Sequence, residues 1–177
     1  MFLKKKGELK MKEIIREYVD RMGVFGLEKY LIGCINEMAK NEELTDREKL
    51  ENIKESIEEY GKITGCTIKE SEIKKMFDEV DPETKLILNK EYQLDMIFIG
   101  TVYKIATNKN LKNADRTEDI KKLIADHKEA VRQAKKEREK DPEFKRMVNV
   151  INDILENADD IEIVRTPYRP NGNSYLN

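Results

Sequence analysis

Apolar side chains recur along this chain at steps of three and four, the spacing that gathers side chains on one face of an α-helix. Met11, Ile14, Ile15, Tyr18, Val19 and Met22 form the first such stripe, and Leu27, Tyr30, Leu31, Cys34, Ile35 and Met38 the second. Gly23 and Gly26 between them predict either a helical hairpin or a kink. Thr45-x-x-Glu48 has the form of a capping box, in which each side chain satisfies an orphan backbone donor. It opens a third helix carrying Leu50, Ile53, Ile57 and Tyr60 and ending near Gly61. Beyond the Gly65-Cys66-Thr67 turn, Ile73, Met76, Phe77 and Val80 mark a short helix. Asp81-Pro82 pairs an N-cap aspartate with proline at the first helical position. The helix it starts is expected to run from about 82 to 107, apolar on several faces between Leu86 and Ile105, as suits a central helix. After a polar loop, Asn108 to Asn113, the next stripe is Ile120, Leu123, Ile124, His127, Val131 and Ala134. Asp141-Pro142 repeats the cap-and-proline start, followed by Phe144, Met147, Val148, Ile151, Ile154, Leu155 and Ala158.

These elements predict an all-α fold, a multi-helix bundle of about seven helices around the apolar 82–107 helix. Residues 11–160 read as one helical domain. Ile161 to Val164 have the pattern of a short extended segment, and 161–177 as a whole read as an extended or disordered tail. Lys6-Gly7-Glu8-Leu9-Lys10-Met11 back-translates to AAA GGA GAA TTA AAA ATG, a purine-rich run ahead of a start codon as in a bacterial ribosome-binding site. Residues 1–10 are therefore expected to be a translated, frayed leader. That reading, with the preference for lysine over arginine, points to an AT-rich bacterium or a phage.

Composition narrows the classes of function. The 177 residues are 40% charged and 38% hydrophobic, a mix suited to amphipathic helices with solvated outer faces. With 34 basic and 36 acidic residues the net charge is −2, so the whole molecule exerts no pull on a polyanion. Cys34 and Cys66 form no metal-ligand or redox motif and read as reduced thiols of a cytoplasmic protein. No stretch approaches the roughly 20 apolar residues that span a bilayer.

Candidate chemistry is sparse. His127, the single histidine, lies on the apolar face of its helix, where an imidazole usually packs and finds one hydrogen bond. Glu91 and Asp95 share a face of the central helix, and buried carboxylates require a cationic partner or a metal. All-helical nucleotide pyrophosphatases gather such acids as ExxE followed by ExxD. Glu55-x-x-Glu58 supplies a first half, but Glu156-x-x-Asp159 lies too far downstream to complete it, and no family resemblance covers the chain. Gly61 to Thr67 has the outline of a helix-turn-helix, yet the anchor positions fall on polar Ser71 and Lys74, and Glu70 and Glu72 would repel phosphate.

Two charge-biased stretches remain. Between Glu42 and Glu59, eight acids face three bases. The 128–146 stretch sets Lys128, Arg132, Lys135, Lys136, Arg138, Lys140, Lys145 and Arg146 against five acids, the pattern of a solvated face laced with i,i+4 pairs. In the tail, Arg165, Tyr168, Arg169 and Tyr175 are of the types enriched in binding hot spots. The sequence therefore favours a small helical interaction protein, an accessory, regulatory or inhibitory factor that binds another protein and self-associates, with no cofactor, metal or catalytic residue. One alternative is a nucleic-acid-binding protein using the basic 128–146 stretch. The other is a metal-dependent enzyme using Glu91 and Asp95, which would need a further acid beside them.

Overall fold

The computed structural model describes residues 11–79 and 90–156. Seven helices lie among them: α1 (Met11–Met22), α2 (Leu27–Lys40), α3 (Asp46–Thr64), α4 (Glu70–Glu79), α5 (Lys90–Thr107), α6 (Asn113–Lys140) and α7 (Pro142–Glu156). The fold is all-α, as the periodicity predicts. The leader 1–10, the Asp81-Pro82 cap and the tail 161–177 lie outside the described residues.

Gly23 and Gly26 both adopt the left-handed conformation, φ 71° and 68°, which only glycine enters without strain. Two such residues in four reverse the chain, so the α1–α2 junction is a hairpin and not a kink. Gly23 N–H bonds back to the Val19 carbonyl, and the Tyr18 hydroxyl donates to the Phe25 carbonyl at 2.8 Å, pinning the turn. The hairpin closes over α3, where Met11 and Ile15 of α1 and Leu27, Leu31 and Ile35 of α2 meet Leu50, Ile53 and Ile57.

The capping box forms as expected. Thr45 Oγ1 accepts from Glu48 N–H, and Glu48 accepts from Thr45 N–H at 2.8 Å. The helix it opens runs past the expected stop at Gly61 to Thr64, and Gly65 caps it in the left-handed conformation. Gly61 is inside the helix for a packing reason. The 65–69 turn folds back so closely that a Cβ on Gly61 would lie 2.9 Å from Ile68 Cγ2.

Helix α5 is the central element. It packs on α2, α3 and α4, and buries Met96, Phe98, Ile99, Val102 and Ala106 on more than one face. Its contact with α4 is tight at Gly100, where an added Cβ would lie 2.7 Å from Ile73 Cδ1 and 3.0 Å from Glu70 Cα. Helix α6 buries Thr117, Ile120, Ile124 and Ala134, and Arg116 Nη1 donates to the α5 carbonyl of Ala106 at 2.7 Å.

The chain divides into two compact units, one up to Lys136 and one from Glu137 onward. In the second unit, Asp141 Oδ1 accepts from Glu143 N–H and Pro142 begins α7, as the cap-and-proline pattern predicts. Arg138 lies over the Phe144 ring at 5.0 Å, a cation–π contact. No helix among the described residues is long and apolar enough to cross a membrane.

Candidate functional site

Asp95 is 2% exposed and is the most deeply buried carboxylate among the described residues. A charge taken out of water costs several kcal/mol unless partners replace the lost hydration. Two do. Lys29 Nζ of α2 donates to Oδ2 at 3.1 Å, and His127 Nε2 of α6 lies 2.9 Å from Oδ1. Against a carboxylate, Nε2 is the nitrogen that carries the proton. The imidazole also packs on Phe98, with centroids 4.4 Å apart. His127 thus has the packed, hydrogen-bonded position expected of a histidine on an apolar face, and the cluster joins three helices.

Lys29 is the cationic partner that a buried carboxylate requires. Glu91 is half-buried one turn earlier in α5, and the groups on Asp95 are a lysine and a histidine, not the further acid a cation site needs. Among the described residues, no three His, Cys, Asp or Glu side chains cluster closely enough to hold a metal ion.

The other candidates are drawn into the fold. In the acidic stretch of α3, Glu59 accepts from Arg16 at 2.7 Å and Glu55 pairs with Lys12 at 3.1 Å, so α1 covers part of the ridge. Hydrogen bonding to Arg16 holds the Glu59 carboxyl below its usual range. Glu58 meets Lys54 and accepts from the Tyr103 hydroxyl. At the helix-turn-helix outline, α4 anchors through Ile73 and Phe77 and packs against α5, while Ser71 and Lys74 are exposed. Of the basic stretch, Lys128 donates to Asn36 and Arg132 pairs with Glu129. Arg165, Tyr168, Arg169 and Tyr175 lie outside the described residues.

The α1–α2 hairpin presents a surface that stripe-by-stripe reading passes over. Met22, Val24 and Phe25 at its turn are 65%, 57% and 89% exposed. Beside them the two helices leave a groove of about 660 Å³, walled by Ile14, Tyr18 and Met22 from α1 and by Tyr30, Gly33 and Cys34 from α2. Tyr18 and Tyr30 stack across it at 4.2 Å. Burial pushes the Cys34 thiol up to about 11, which leaves it protonated and a poor nucleophile at neutral pH. One signal for this surface was present in the chain: Gly-Val-Phe-Gly puts two apolar residues in a four-residue turn, where polar ones are the rule.

Comparison with known proteins identifies no relative, since the chain matches no family model, no curated protein and no solved structure.

Proposed function

We propose that this chain acts by binding another protein, as an accessory, regulatory or inhibitory factor in the cytoplasm of a bacterium or of a phage-infected cell, and that the α1–α2 turn is its contact. The observation that carries the reading is the exposure of Met22, Val24 and Phe25 on one short turn. Contiguous apolar surface is uncommon on a monomer and marks places where a partner covers it. The turn is also held in place by two left-handed glycines and the bond from Tyr18, so docking it costs little conformational entropy. An aromatic side chain on a rigid projection is the form of anchor that fills a partner's apolar pocket.

The test compares wild type with Phe25→Asp, each immobilised and challenged with a bacterial lysate. Phe25 makes so few contacts that the variant should keep its helicity and unfold within about 0.5 kcal/mol of wild type. A protein retained by wild type and lost from Phe25→Asp supports the reading. Retention of the same proteins by both would remove the turn from the function.

A further inference from the structure

The groove beside the turn has a pattern that complements itself. Gly33 lies in the middle of α2, exposed on the groove wall, and a Cβ built on it has nothing within 4 Å. Glycine weakens a helix interior, and no neighbour within the chain requires one here. What glycine permits is close approach by a backbone from outside. Charge along the groove is also ordered. Arg21 and Lys29 stand at the end nearest the turn, and Glu17 and Glu37 stand further from it. Lys29 and Glu37 are each four residues, about one helical turn, from Gly33 on opposite sides.

We propose that a second copy of this chain occupies the groove, its α2 crossing the first antiparallel about a twofold axis at Gly33. A twofold contact is isologous, so whatever lies on one side of the axis meets what lies on the other. About Gly33 that operation sets Lys29 of each copy opposite Glu37 of the other, and the basic end of each groove over the acidic end of its mate. Lys29 donates to Asp95 with one of its three N–H groups, which leaves two for a carboxylate across the axis. Tyr18 and Tyr30 supply the apolar wall, and the two turns carrying Phe25 point outward at opposite ends of the dimer. A bundle helix of different sequence would fit the same width but would not repeat the reversed charge order.

The experiment is sedimentation velocity over a wide concentration range on wild type, Gly33→Leu, Glu37→Lys and Phe25→Asp. Because the space over Gly33 is open, Gly33→Leu should fold with undiminished helicity and melting temperature, yet it blocks the axis. Expected are a reversible wild-type dimer weakened by salt, and a loss of about tenfold or more in dimerisation for Gly33→Leu. Glu37→Lys should also weaken it, while Phe25→Asp should leave it intact. A wild type that stays monomeric at every concentration overturns the proposal, and if it still captures a protein through Phe25 the reading of the turn survives alone. A dimer that persists in Gly33→Leu, or that is lost in Phe25→Asp but not in Gly33→Leu, overturns it by placing the contact elsewhere.

Discussion

Gly33 and Gly100 occupy the interiors of two helices, and replacing either by alanine changes intrinsic helix propensity by the same amount, about 1 kcal/mol in favour of the helix. Their surroundings reverse the outcome. Nothing lies within 4 Å of a Cβ on Gly33, so Gly33→Ala should stabilise the monomer by about 0.5–1 kcal/mol. At Gly100 the same methyl group would lie 2.7 Å from Ile73 Cδ1 and within 3.1 Å of the Glu70 backbone. Backbone cannot swing aside as a side chain can, so Gly100→Ala should destabilise by about 1–3 kcal/mol through overpacking. Urea unfolding of the two variants side by side checks both signs. The two residues look alike in the sequence, each a lone glycine within a run of apolar residues. The difference lies wholly in what stands opposite.

At the scale of elements, one carboxylate adds a charged bridge to the apolar contact of α4 with α5. Glu70, in the first turn of α4, receives Lys104 Nζ of α5 and Lys74 Nζ of α4, each at 2.7 Å. Hydrogen bonds from Lys104 and then Lys74 bring its carboxyl from 4.5 to about 2. A carboxyl whose folded value is depressed adds stability above its unfolded value, and that stability is lost as pH falls toward the folded one. The α4–α5 contact should therefore weaken between about pH 4.5 and 2. Both lysines are largely exposed, and solvent screening limits the loss to about 1 kcal/mol. Thermal unfolding of Glu70→Gln across this range should show a flatter dependence on pH than wild type. Equal slopes would mean that the pairs contribute nothing.

For the molecule as a whole, the Lys29–Asp95–His127 cluster joins α2, α5 and α6 at one buried carboxylate. Removing the acid leaves a half-buried imidazole without its acceptor and a lysine without its counter-charge. Asp95→Ala should lower stability by about 3 kcal/mol, measured by the urea midpoint at unchanged m-value. Lys29 reaches solvent, so Lys29→Met should cost far less, about 1 kcal/mol or under. A stable Asp95→Ala would show that the fold does not need the cluster, and would reopen the question of what a buried acid beside a histidine is for.

The chain by itself determined the helices of the described residues and where most of them start and stop, because capping boxes, prolines and apolar spacing act over a few residues. Thr45, Asp141 and the stripes of α1 to α3 needed nothing beyond their neighbours in sequence. It also marked Asp95 and His127 as singular residues, one a buried acid and the other the lone imidazole. Only the packing decided that these two meet, across 32 positions of chain, with Lys29 as a third member. Only packing turned part of the acidic face of α3 inward onto Lys12 and Arg16, and left Phe25 and Gly33 facing outward. Local periodicity reports that a helix has two faces. Which partner covers each face depends on contacts between residues far apart in sequence, and no local pattern encodes those.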